Sequence, residues 1–167
     1  MQIERAFVEL VTARSSALLR TAYLLTGNRT DAEDLVQEAL LAVYRKRHHV
    51  RDVGALEGYV RTTLVRSHIS RRRRRSSQEI PREQVPDTAW ADGEPITSSE
   101  LWPAITRLSP RQRAVVVLVY FEDLPEEEVA RLLGCSAGAV KSHRSRALSA
   151  LRRESHAAAM LAGGDRR

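Results

Sequence analysis

Aromatic residues are scarce in this chain. Phe, Trp and Tyr make up 5% of its 167 residues, so any core must be built from aliphatic side chains. A single cysteine, Cys135, excludes an internal disulfide framework. No Cys/His cluster has the spacing of a zinc site. No apolar run approaches the ~18 residues of a membrane span, so no membrane insertion is expected. The opening MQIERAFVEL lacks the layout of a signal peptide. A soluble protein of a reducing cytoplasm fits these absences. Also missing are a phosphate-cradling glycine loop, GxSxG and HExxH. His48 and His49 are adjacent, so they cannot share a helix face, and no spaced acid completes a metal site with them. The expectation is no enzyme, no cofactor and no metal.

Cations are abundant. Lys and Arg number 27 against 21 Asp and Glu, a net charge of +6, and the sequence pI is about 10.2. That balance favours a polyanionic partner, nucleic acid first and an acidic membrane second. The charge is unevenly placed. Residues 1–78 hold 15 Lys or Arg against 8 acids, residues 79–100 hold 1 against 6, and residues 101–167 hold 11 against 7. Two basic blocks flanking an acidic one read as domain, linker, domain.

The first block reads as helices. Ile3, Ala6, Phe7, Leu10 and Val11 begin a periodic pattern that Leu18, Ala22 and Leu25 continue, and Gly27-Asn28 reads as a helix stop. Asp31–Arg45, DAEDLVQEALLAVYR, is an amphipathic helix, with Thr30 as its expected cap and Glu33 completing a capping box. Leu35, Val36, Ala39, Leu40 and Val43 form its apolar face. Asp34, Gln37, Glu38, Leu41 and Arg45 fall opposite, giving an acidic outward face that carries a leucine. Nucleic acid would repel that face, which points to a protein partner; a plain solvated helix face is the alternative. His48–Gly58 reads as a loop. Val60, Leu64 and Ile69 mark a further helix running into Arg71–Arg75, five cations in line. Such a run binds phosphates in a salt-dependent way; a nuclear-import signal or a merely solvated run are the other readings.

From Ser76 to Ser99 three prolines, a glycine and several acids interrupt the pattern, as in an extended linker. Leu101, Ile105 and Leu108 then mark a short helix. Ser109-Pro110-Arg111-Gln112 starts another, with a Ser cap, Pro in the first helical position and Gln three residues after the cap. Val115–Tyr120, VVVLVY, has strand propensity, but the upstream cap favours a buried helix. Glu126–Leu133 and Ser136–Arg153 form a helix-turn-helix pattern. Ala130 sits at the close crossing, Gly134 supplies a left-handed turn and Val140 anchors the second helix, with Val129 and Leu133 beside it. An ordinary αα-hairpin is the alternative. In the second helix Val140, Ala147, Leu148 and Leu151 share one face, and Lys141, Ser142, Ser145, Arg146, Ser149 and Arg152 share the other. Short hydroxyls let a helix approach a major-groove floor while Lys and Arg reach base edges or phosphates. His143 lies at the edge of that face. Arg111 and Arg113, at a helix start, are candidate phosphate contacts. Cys135 reads as a small packing residue. The tail from His156 is expected to fray. The fold class is all-α.

Taken together, AEDLVQEALLAVYR, a basic helix ending in RRRRR, an acidic linker and LSPRQRAVVVLVYFEDLPEEEVARLLGCSAGAVKSHRSRALSALR resemble the extracytoplasmic-function bacterial sigma factors, from about Phe7 to Arg153. The resemblance implies a promoter-recognition subunit of RNA polymerase with two small helical domains. Residues 1–78 would be sigma-two, 79–99 the acidic flexible linker, 100–156 sigma-four with its helix-turn-helix, and 157–167 a tail. It further implies core RNA polymerase, promoter DNA and an anti-sigma factor as partners. Asp34, Gln37, Glu38 and Leu41 would dock on the polymerase clamp, and Tyr44–Gly58 would cover the loop that captures a flipped base. The minus-ten element would be held by Tyr59, Arg61, Arg66, Arg71, Arg72, Arg73, Arg74 and Arg75. The minus-thirty-five element would be read by Arg111, Arg113, Lys141, Ser142, His143, Ser145, Arg146 and Ser149. The chain departs from the family pattern at Arg66, where Asn is common, at His48 and His49, where an aromatic is common, and at Pro125, where a Ser cap is usual. Two other readings compete. One is a stand-alone helix-turn-helix regulator, which leaves Asp31–Arg45 unexplained. The other is a polybasic protein acting on membranes or RNA through Arg71–Arg75.

Overall fold

The computed structural model describes residues 2–77 and 102–163, with side chains placed for 2–77 and 103–155. The acidic linker expected at 79–99 lies outside the described residues. The described residues form helices and turns without a strand. The chain divides into two compact units, Met1–Pro86 and Asp87–Arg167.

The first unit is built on α1 (Gln2–Thr26), α2 (Arg29–Arg45) and α3 (Leu56–Ser77). Each of the three packs on the other two. The two periodic segments read at the N-terminus are one continuous helix. Its last turn, Thr21–Leu25, is buried throughout. Ala22, Ala32 and Ala39 are fully covered, and their small side chains let helix axes approach closely. Leu24, Leu25, Leu35, Val43, Leu56, Val60, Leu64 and Val65 fill the space between. Each such fully covered Leu or Val contributes about 1.5–3 kcal/mol relative to an exposed one. Gly27, with φ +84°, ends α1 where a side chain would be strained.

The cap of α2 lies two residues before the expected one. Asn28, not Thr30, is the N-cap, and its side-chain oxygen accepts from the Asp31 N–H at 2.8 Å. The helix starts two residues earlier, at Arg29, because Asn28 holds extended backbone and an acceptor side chain together. Between α2 and α3 run two short 3-10 turns, Arg47–His49 and Val53–Ala55. Asp52 caps the second, accepting from the Gly54 N–H at 2.9 Å. The expected loop therefore ends early: α3 begins at Leu56, whose burial anchors its first turn, and Gly58 is helical.

The second unit holds α4 (Trp102–Arg107), α5 (Pro110–Val116), α6 (Glu126–Leu133) and α7 (Ala137–Gly163). The expected capping box is present. Ser109 Oγ accepts from the Gln112 N–H at 3.3 Å, and Gln112 Oε1 accepts from the Ser109 N–H at 3.3 Å. VVVLVY is helical and not a strand: α5 widens into a π-helical turn, Val117–Phe121. Ala114–Leu118 are all buried, as in a helix enclosed on every side. Leu108, Val116 and Ala147 meet in one apolar cluster, with Ala150 and Leu151 packed against it. The tail expected to fray from His156 instead continues α7 to Gly163.

Candidate partner- and nucleic-acid-binding surfaces

On α2 the two faces fall as the periodicity predicts. Leu35, Val36, Ala39 and Val43 are buried, while Asp34, Gln37 and Arg45 are exposed. Leu41 is 48% exposed, a large apolar side chain in water on an acidic surface. Glu38 lies on the same face but is engaged: Arg71 Nε donates to its Oε2 at 2.6 Å. A second tie joins the same two helices. Arg75 forks onto Asp31, Nη1 to Oδ2 at 3.2 Å and Nη2 to Oδ1 at 3.1 Å. Asp31 is buried and also accepts from Asn28 Nδ2 at 2.8 Å, so the cap of α2 and the end of α3 share one carboxylate. An exposed pair is worth up to about 1 kcal/mol; the fork onto a covered carboxylate is the stronger of the two.

The arginine run closes α3, as expected of a basic helix ending in RRRRR, and a helix C-terminus favours cations. Arg72, Arg73 and Arg74 are exposed. Desolvation, and secondarily the charge of Arg75, holds Arg72 below its ordinary pKa, although the residue as a whole stays exposed. Alongside α2 and α3 runs a polar groove of about 320 Å³. Tyr59, Thr62, Thr63, Arg66, Ser67 and Ser70 of α3 line it, with Glu38 and Lys46 opposite. Tyr59 is 46% exposed there, an aromatic surface among hydroxyls and cations. Arg61 turns elsewhere, toward Glu57, which is itself bridged to Arg14 of α1 at 3.2 Å.

A cluster that periodicity does not reveal fixes the turn after α2. Arg47 Nε and Nη2 donate to Glu4 Oε1 at 3.2 and 2.9 Å, and Nη1 donates to the Tyr44 carbonyl at 2.9 Å. Its guanidinium lies 4.0 Å over the Tyr44 ring, which meets Phe7 with centroids 5.4 Å apart. The Arg47 hydrogen bond and charge hold the Glu4 carboxyl below its ordinary range. No sequence signal announces this cluster, because Glu4 and Arg47 lie on different elements. The burial of His68 in α3 did have a signal, its place four residues after Leu64 and eight after Val60 on the apolar face.

In the second unit, α6 and α7 form the expected helix-turn-helix pair. Ala130 is buried at the crossing, and Gly134, at φ +65°, closes α6. The Gly134 N–H donates to Arg131 O at 3.4 Å and the Cys135 N–H to Ala130 O at 3.0 Å, the two bonds of a Schellman close. Ser136 Oγ caps α7 by accepting from the Ala139 N–H at 3.1 Å. Glu126 of α6 and Arg144 of α7 form an ion pair across the motif. Val140 and Ala147 face inward, while Lys141, Ser142, Ser145, Arg146 and Ser149 are exposed together. His143 is half-buried, and its Nδ1 is covered without a hydrogen-bond partner among the described residues. Only its other nitrogen could face a ligand.

One expected phosphate contact is corrected. Arg113 is 4% exposed and Nη2 donates inward to the Thr106 carbonyl at 2.9 Å. It sits on the buried side of α5, so a phosphate does not reach it. Arg111 is exposed, with Nη1 donating to the Leu133 carbonyl at the end of α6 at 3.3 Å.

Two family models match this architecture: Sigma-70 region 2 over residues 10–78 and Sigma-70, region 4 over residues 98–151. The chain belongs to the sigma-70 family, as a sigma factor of the extracytoplasmic-function type. It is 39% identical over 150 residues to an RNA polymerase sigma-E factor of Streptomyces antibioticus, covering 89% of this chain and 83% of that protein. It is 33% identical over 151 residues to the ECF RNA polymerase sigma factor SigE of Mycolicibacterium smegmatis, covering 83% of this chain and 58% of that one. Among solved structures it resembles the sigma factor RpoE from Bartonella quintana, crystallised with the anti-sigma factor NepR. The TM-score is 0.69 at 25% identity, over 89% of this chain and 95% of that one. Region 2 of this sigma factor thus includes most of α1 with all of α2 and α3, and region 4 holds the helix-turn-helix. The sigma-70 family is not a class of catalysts. Among the described residues no helix is long and apolar enough to cross a membrane.

Proposed function

We propose that this sigma factor binds core RNA polymerase, directs it to promoters carrying minus-thirty-five and minus-ten elements, and helps open the DNA for initiation. The observation that carries this reading is the exposed acidic face of α2 with Leu41 at its centre, set in a basic chain. A plain DNA-binding regulator has no use for such a face, whereas a polymerase-docking helix needs one. In this reading Asp34, Gln37, Glu38 and Leu41 dock on polymerase. Tyr59, Arg66 and exposed members of the arginine run meet the minus-ten element. Lys141, Ser142, Ser145, Arg146 and Ser149 read the minus-thirty-five element, with Arg111 and His143 at the margin. The protein acts in the cytoplasm and has no catalytic activity of its own. An anti-sigma factor holds it in check, the kind of partner with which the Bartonella RpoE was crystallised.

Reconstitution with bacterial core polymerase tests it. The chain should form a complex with core and start transcription at a cognate promoter, and specific promoter binding should require core. Absence of a core complex at low salt, or tight operator binding without core, would overturn the proposal.

A further inference from the structure

The arginine run is continuous in sequence but not in space. Arg71 and Arg75 are four residues apart, so they share one face of α3, and that face lies on the acids of α2 through Glu38 and Asp31. The neighbouring flank is the groove wall, carrying Tyr59, Arg66 and Ser70, and it reaches Ser67, four residues before Arg71, and Glu38 itself. Arg73 follows Arg66 by seven residues, about two turns, and Arg74 follows Ser70 by four. Both therefore prolong the groove's line of hydroxyls and cations, and both are exposed. Arg72 is four residues beyond His68 and seven beyond Val65, both buried. It lies on the flank turned toward the core side, away from the groove.

We propose that helix face and carboxylate pairing together divide the run. Arg73 and Arg74 extend the groove as its phosphate-binding edge, Arg71 and Arg75 are positioning residues that hold α3 on α2, and Arg72 lies off the nucleic-acid path. This rests on the reading of the first unit as a DNA-binding unit. Its physical basis is that a guanidinium committed to a carboxylate neutralises no phosphate, and so displaces none of the cations condensed on DNA. Its pairing therefore appears in stability and not in the salt dependence of binding.

The test is binding of the full chain to a random-sequence DNA duplex across a salt series, beside thermal melting. The R73S/R74S variant should flatten the log–log salt slope by about 0.9 per arginine removed and leave the melting temperature unchanged. R72S and R71Q should leave the slope as it is. R71Q and E38Q should each lower the melting temperature, the double variant should melt no lower than either single, and R71K should restore the wild-type value. R75Q repeats the slope measurement independently should R71Q fail to fold. Flattening by R71Q or R75Q equal to that of R73S, or none in R73S/R74S, would overturn the division while leaving DNA binding intact. Absence of salt-dependent duplex binding by the wild type would overturn the DNA reading and the division with it.

Discussion

Leu41 is the residue on which the docking assignment turns. Half exposed on a face it shares with Asp34, Gln37, Glu38 and Arg45, it contributes little to the core of its own unit. Leu41→Lys should therefore leave helix content and melting unchanged while weakening the complex with core polymerase about tenfold or more, as loss of an apolar interface anchor does. Circular dichroism and a binding titration read both outcomes. Glu4 makes a second case at this scale. Arg47 depresses its folded-state pKa below the ordinary 4.5, so the pair's stabilisation is complete above that value and is lost as pH falls through the depressed one. In denaturant melts, Glu4→Gln should be less stable than wild type at neutral pH, and the difference should vanish toward strong acid. Arg113 teaches the converse lesson. Its place at a helix start suggested an anion site, yet only the packing of α5 shows that its side chain is enclosed. Composition does not say which way an arginine points.

Among the elements, α2 is the one whose start has consequences elsewhere. Asn28 caps the helix and also holds the Asp31 carboxylate that receives Arg75. Asn28→Ala should cost about 1 kcal/mol as a lost cap, and somewhat more because Asp31 loses a donor. Urea melts of Asn28→Ala and Thr30→Ala should show the loss in the first and little in the second, since Thr30 is exposed and is not the cap. Helices and faces were largely legible beforehand, because a repeat of about 3.6 residues writes itself into the apolar pattern. So were Gly27, the Ser109 capping box and Gly134, which carry local backbone signals. The start of α3 was not, since Gly58 reads as a breaker although it sits in open space on an exposed face. The ion pairs between α2 and α3 were not legible either. Residues 33 and 44 apart become neighbours only after the helices pack.

For the molecule as a whole, the proposed partner surfaces are carried by separate compact units: polymerase docking on α2 in the first and base reading on α7 in the second. Changes at independent sites combine additively in free energy to about 0.5 kcal/mol. Leu41→Lys and Arg146→Ala should accordingly multiply their separate losses in promoter-directed transcription. Arg146→Ala alone should cost about 1–3 kcal/mol on the cognate sequence if it makes a bidentate base contact. Run-off transcription with single and double variants, at sub-saturating protein, reads the product directly. A loss in the double no greater than in the worse single would mean that the two surfaces act through one step.

The sequence by itself determined the all-α class, the two helical blocks, the outward acidic face of α2 and the basic, hydroxyl-rich face of α7. Each follows from periodicity, capping or charge, which are properties of residues a few positions apart. Tertiary structure alone decided that Arg113 is enclosed, that Arg47 clamps Glu4, and that the arginine run is split between carboxylates and solvent. Those outcomes depend on which distant side chains packing brings within reach of a charge, and no local pattern encodes that. The scarcity of aromatics acquires a place in the same way. Phe7 and Tyr44 pair beneath the Arg47 clamp, while Tyr59 is left facing the groove.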